Sequence, residues 1–172
     1  KLSFYHTINS ENNSVFGFTD LDLILNNMEW SLNKVSNNPS LTINRNSNEF
    51  NIKNISFLNK DQSIDLNISN FKKQSKYDVS FKDVELNSFT NKNSSILFDG
   101  KINGKLFLNQ QDEKFSGESN LIISNLMSNN ELIGDASLNL IASEDLKKIN
   151  IDFFVINDFE KKLNLFGDFS IE

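Results

Sequence analysis

The chain has 172 residues, a net charge of -6, a pI near 4.8 and no cysteine. That length allows one domain with a real core, while the missing cysteine excludes a disulfide framework, thiolate chemistry and cysteine metal sites. The basic residues are scattered, never more than two together, which argues against the clustered Lys and Arg surface that nucleic acid needs.

No run of about 18 apolar residues occurs, and the first residues lack a charged-then-apolar signal pattern. Because it starts at Lys1 without methionine and stops at Ile171-Glu172 within an alternating run, the chain is expected to be a piece of a longer or processed protein. Alanine occurs only at Ala136 and Ala142, Phe and Ile are plentiful, and almost no stretch has helical spacing, so the reading is β throughout.

In chain order, the alternation predicts strands from Leu2 to Ile8, Val15 to Leu25, Met28 to Val35 and Leu41 to Ile43. Further strands are predicted from Phe50 to Leu58, Ile64 to Phe71 and Tyr77 to Leu86. The stretch ILFDGKINGKLFL, Ile96 to Leu108, is the longest clean alternation and would span on the order of 40 Å at roughly 3.3 Å per residue, about twice a usual strand. Phe115 to Leu126, Leu132 to Ala142, Ile149 to Ile156 and Leu163 to Ile171 complete the set. Turns are predicted at Asn37-Asn38-Pro39-Ser40, Asn46-Ser47-Asn48, Asn59-Lys60-Asp61, Asn91-Lys92-Asn93-Ser94, Gln110-Gln111-Asp112-Glu113, Asn129-Asn130 and Glu160-Lys161-Lys162. Ser143 to Lys148 allows one helical turn. Short connections between long strands imply an antiparallel meander.

The alternation breaks parity repeatedly at an apolar-x-Asn/Asp-apolar unit: Leu25-Asn26-Asn27-Met28, Ile52-Lys53-Asn54-Ile55, Ile68-Ser69-Asn70-Phe71, Phe81-Lys82-Asp83-Val84 and Ile123-Ser124-Asn125-Leu126. Ile156-Asn157-Asp158-Phe159 is a poorer sixth. A one-residue slip would send every later side chain to the other face, whereas a β-bulge or corner keeps both sides facing inward. Asn and Asp tolerate the left-handed angles such a device needs. A plain two-residue turn at each unit is the alternative. For Asn54 the bulge reading predicts Lys53 and Asn54 exposed, with Ile52 and Ile55 on the same side.

All six glycines, Gly17, Gly100, Gly104, Gly117, Gly134 and Gly167, read as lying on the apolar phase. Each leaves room there, for close backbone approach or for a ligand, and together they suggest a hollow face. Catalytic chemistry is missing: His6 stands alone in a terminal strand, Asp20-Leu21-Asp22 reads as a solvated face without further ligands, and Asp112-Glu113 and Glu144-Asp145 fall in turns. With no phosphate loop, nucleophile elbow or His-carboxylate set, an enzyme, a cofactor and a metal site are not expected.

From about Asn51 to Glu172 the order of these signals resembles the TamB family, the AsmA-like translocation and assembly module proteins of diderm bacteria. The resembling residues are NIKNISF, DLNISNF and FKDVEL, then FDGKINGKLFL, NLIISNLMSNNELIGDASLNL and KLNLFGDFSIE. Gly100 and Gly104, Gly134-Asp135 and Phe166-Gly167-Asp168 look like that family's glycine-bearing strands, Leu121 to Leu126 looks like its Leu-x-Ile-x-x-Leu strand, and the Asn- and Lys-rich style looks like a Bacteroidota member. Residues 1–50 match less well. The resemblance implies one β-taco segment over residues 1–172: long antiparallel strands in a curved, half-open trough with an apolar inner face. It further implies periplasmic transfer of phospholipid between inner and outer membranes in support of outer-membrane biogenesis, with an Omp85-family barrel as partner and a membrane anchor in the full-length protein.

On this reading the groove is lined by Phe50, Ile52, Ile55, Ile64, Leu66, Ile68, Val79, Phe81, Ile96, Phe98, Gly100, Ile102, Gly104, Leu106 and Leu108. The remaining lining residues are Leu121, Ile123, Gly134, Leu138, Leu140, Ile151, Phe153, Leu163, Leu165, Gly167 and Phe169. The alternative is a structural or interaction module, a β-solenoid or adhesin-type repeat, whose apolar face is simply a closed core. An outer-membrane barrel is disfavoured, since two tyrosines and one tryptophan cannot form aromatic girdles.

Overall fold

The computed structural model describes residues 1–35, 38–90, 95–112, 114–142, 148–157 and 160–170. Among them run β1 (Leu2–Ile8), β2 (Asn13–Leu25), β3 (Met28–Leu32), β4 (Ser40–Asn44), β5 (Phe50–Asn59), β6 (Gln62–Phe71), β7 (Gln74–Glu85), β8 (Phe98–Gln111), β9 (Lys114–Ser128), β10 (Glu131–Ala142), β11 (Lys148–Asn157) and β12 (Glu160–Ser170). The described residues contain no α-helix and one 3-10 turn, Leu86–Ser88. The expected helical turn at Ser143 to Lys148 and the turn at Asn91 to Ser94 lie largely or wholly outside the described residues.

The strands form one 12-stranded antiparallel sheet in chain order, as the short connections imply. The single departure is local. β3 and β4 both pair with β2 and β5, so they lie end to end as one strand interrupted at residues 33–39. Backbone hydrogen bonds from Asn33 to the Ser56 carbonyl (2.7 Å) and from Phe18 to the Pro39 carbonyl (2.9 Å) carry the pairing to the rims of that interruption. Leu25 pairs with Met28, Phe71 with Gln74 and Ser128 with Glu131, leaving two-residue loops in which both residues have positive φ: Asn26-Asn27, Lys72-Lys73 and Asn129-Asn130. Such primed turns match the right-handed strand twist.

Three of the parity breaks are bulges of one design. At Asn54 (φ 57°), Asp83 (φ 51°) and Asn125 (φ 52°) the register slips while the chain passes through the left-handed region. The backbone N–H freed by each bulge donates to a side chain on the following strand: Asn54 to Asn67 Oδ1 at 2.9 Å, Asp83 to Asn103 Oδ1 at 2.9 Å and Asn125 to Asp135 Oδ1 at 2.8 Å. Lys53 and Asn54 are exposed, while Ile52 opposite Ile68 and Ile55 opposite Leu66 share a face.

The other units behave differently. Asn26-Asn27 is a plain turn, and Asn70 is no corner at all: its strand pairs without slippage from Ser63 to Phe71. Phe71 therefore stays on the opposite face, exposed, with the Lys72 ammonium 5.0 Å from its ring centroid. Pairing right up to the Lys72-Lys73 turn removes any need for a bulge there. At the sixth unit the register shifts between Val155 and Ile156, but Asp158 and Phe159 lie outside the described residues.

The glycines do not share one role. Gly104 (φ 130°) and Gly134 (φ 138°) have angles that L side chains rarely adopt, and a Cβ on them would meet the carbonyl oxygens of Asn120 and Ile156. Gly100 (φ 138°) belongs to the same class. Gly17 is on the face opposite Leu21, because a register shift between Ser3 and Phe4 puts Phe16 and Phe18 in phase with Leu21; the Tyr5 ring lies over it. A Cβ on Gly117 would sit 3.3 Å from the Phe107 carbonyl oxygen, and only Gly167 faces open space.

Gly104→Ala is therefore expected to cost about 1–3 kcal/mol of stability in urea unfolding, against a change within about 0.5 kcal/mol for Gly167→Ala. Removing one bulge acceptor, as in Asn103→Ala, is expected to cost about 1–2 kcal/mol through the orphaned Asp83 N–H.

Candidate functional site

The register places the expected lining residues on one face in unbroken cross-strand rows. One row runs Leu41, Ile52, Ile68, Tyr77, Leu108, Gly117, Ala142, Ile149 and Phe169. The next joins Ile55, Leu66, Val79, Leu106, Ser119, Leu140, Ile151 and Gly167. Above it lie Phe57, Ile64, Phe81, Gly104, Leu121, Leu138, Phe153 and Leu165, then Val84, Ile102, Ile123, Ala136, Val155 and Leu163. Phe50 falls on this face below Ile52, and Phe98 and Gly100 fall on it at the start of β8. Ile96 does not belong to the ladder, since β8 begins at Phe98 and Ile96 is half-exposed in the preceding connection.

Between these rows the opposite face carries Asp65, Ser80, Lys105, Asn120, Asn139 and Asp152, also joined in register. The two faces thus differ as the alternation requires. Isolated Phe107, Ile122, Ile141 and Phe166 on the polar side are exposed.

Among the described residues no second layer covers the apolar rows, yet part of them is dry. Trp30 and Val84 are wholly inaccessible, and with Leu32, Ile55, Phe57, Ile64 and Ile102 they form one buried cluster. Phe18, Leu21, Leu23, Phe81, Leu121 and Ile123 pack against it, so side chains from β2 and from β9 enclose the same core. A single sheet can do this only by curling on itself, helped by the connection after β7, whose Leu86 packs against this cluster and against a smaller one of Leu126, Ala136 and Val155. Toward β12 the cover ends: Leu163 and Leu165 are 43% and 55% exposed. Leu106, in the middle of its row, is 37% exposed.

The two ends of the face differ. At the upper end the Asn26-Asn27 turn meets the residues that follow β7, Asn26 Nδ2 donating to the Asn87 and Thr90 carbonyls. At the lower end, with the Lys72-Lys73 turn and the β8–β9 turn, a concavity of about 1280 Å³ is walled, among the described residues, by polar side chains including Asn70, Lys73, Ser75, Gln110, Asp112 and Lys114, together with Tyr77. None of the expected lining residues borders it. Its signal was present in the alternation: the parity of Ile68 continues into Asn70, and that of Leu108 into Gln110. Trp30, Leu32, Phe57, Val84, Leu126, Ala136 and Val155 are buried apolar members of the core that the expected set lacks, and parity alone would have added Phe57, Ala136 and Val155.

The remaining polar features are structural. Asp20 pairs with Lys34 Nζ at 3.0 Å and Lys1 Nζ at 3.2 Å, and these ammonium groups, Lys34 first, hold its carboxyl below the ordinary value. Asp20 of the Asp20-Leu21-Asp22 pair is thus neutralised by two ammonium side chains of the chain itself. His6 is exposed on edge strand β1 and stacks on Phe16 with ring centroids 4.7 Å apart. No group of three or more His, Cys, Asp or Glu able to hold a metal occurs among the described residues, and no described helix is long and apolar enough to cross a membrane. Compared with known proteins, the chain matches no family model, no curated protein and no solved structure.

Proposed function

We propose that this chain is a non-enzymatic lipid-transfer segment of the TamB and AsmA-like type, in which phospholipid acyl chains lie along the apolar rows and head groups stay in water. Its place on this reading is the periplasm of a diderm bacterium, bridging inner and outer membranes, with an Omp85-family barrel at the outer membrane. The observation that carries the reading is the register: from β5 to β12 the rows keep apolar side chains on one face. Leu106, Leu163 and Leu165 remain accessible there. An acyl chain covering such residues would recover part of the roughly 1.5–3 kcal/mol available from full burial of each. The ligand needs no sequence-specific contact, which suits a face without charge.

A second reading, a structural or interaction module with a closed core, is favoured by the inaccessibility of Trp30, Val84 and Val155 and by the polar walls of the main concavity. The two differ in where lipid touches. Photo-crosslinking side chains at Leu106, Leu138 and Leu165 are expected to capture phospholipid from mixed vesicles, while the same probe at Lys105, Asn139 and Asn164 on the opposite face is not. Equal labelling of both sets, or none in either, assigns the closed module instead.

A further inference from the structure

We propose that the upper end of the curled sheet is closed by a hydrogen-bonded latch centred on Asn26, and that this end opens without unfolding the sheet. Asn26 sits at the tip of the β2–β3 hairpin with φ of 47°. Its carboxamide Nδ2 donates to the Asn87 carbonyl at 2.6 Å and the Thr90 carbonyl at 3.0 Å, both in the connection after β7. Beside it the buried Ser88 hydroxyl donates to Met28 Sδ at 3.7 Å, and Phe89 sets its ring edge-on to Phe81, centroids 6.0 Å apart. The hairpin and the connection share no ladder, since β5 and β6 stand between β3 and β7. The hydrogen bonds of Asn26 and Ser88 therefore fasten the hairpin to the connection at the rim of the apolar cluster that both sides share, and Phe89 anchors the connection to β7.

The closed state also carries a built-in opposition. Trp30 Nε1 and Asn87 Oδ1 are buried at this end without a hydrogen-bond partner among the described residues. A polar atom in that condition costs free energy that water would relieve on opening. The ladders of β8 to β11 are not involved, so opening belongs to the low-energy, local class of fluctuation. When latched, the apolar face is blind at the upper end; when released, the rows around Trp30, Phe57 and Phe81 become reachable. The consequence for lipid passage rests on the proposed function, but the latch itself does not.

Trp30 is the chain's one tryptophan, so its fluorescence reports this end without a ligand. Asn26→Asp sets a carboxylate against two carbonyl oxygens, and Asn26→Ala removes the donor. Both are expected to red-shift Trp30 emission and raise acrylamide quenching several-fold, while far-UV circular dichroism and amide exchange in β9 and β10 stay as in the parent. In the unaltered protein, amides of β3 are expected to exchange through a smaller opening than those of β9. Trp30 equally shielded in parent and both variants would overturn the latch. So would exchange rising together across the whole sheet, or β3 and β9 amides exchanging through one common opening. Because no lipid enters these measurements, failure of the latch and failure of lipid transfer are separable.

Discussion

A single β-sheet with one apolar face has nothing to bury that face against except itself, and this constraint governs the molecule. Sheets in most domains meet a helix layer or a second sheet. Here one continuous antiparallel sheet supplies both walls of its core, so strands must bend without losing the inward parity of their side chains. The bulges at Asn54, Asp83 and Asn125 do both, because an extra left-handed residue bends the strand, increases its twist and restores the phase.

Such a bulge frees one backbone N–H, and a buried or half-buried donor without a partner is costly. The recurring answer is a carboxamide or carboxylate on the next strand: Asn67, Asn103 and Asp135 each lie opposite a bulge and accept its N–H. Asn103 goes further, its Nδ2 donating back to Asp83 Oδ1 at 3.3 Å. Two of these acceptors adjoin a glycine with positive φ, Gly104 and Gly134, where neighbouring backbone leaves no space for a Cβ. Asparagine therefore has structural uses at particular positions, Asn54, Asn67, Asn103 and Asn125 among them.

The curl is uneven. Where β2 and β3 face the strands from β7 onward, the core is dry and its end is closed through Asn26. Toward β12 the same rows continue without cover, and at the lower end polar residues replace apolar ones in the same phase. A lipid-bearing role uses the uncovered rows; a purely structural role uses the closed core. Both features belong to one sheet, and the distinction lies in how far the curl closes around it.

The amino-acid sequence by itself determined the all-β class, the strands to within a few residues, the apolar face of β5 to β12 and the compensated parity breaks at Asn54, Asp83 and Asn125. These follow from local alternation and from the tolerance of Asn and Asp for left-handed angles. Tertiary structure alone decided that Asn70 continues its strand, that Gly17 lies beneath Tyr5 on the other face, that Gly100, Gly104 and Gly134 serve the backbone, and that Ile96 stands outside the ladder. It also decided which end is closed. Each of these depends on which residue of a neighbouring strand stands opposite, or on which distant turn the curl brings near. Register and curvature are properties of paired strands, and no period within one strand encodes them.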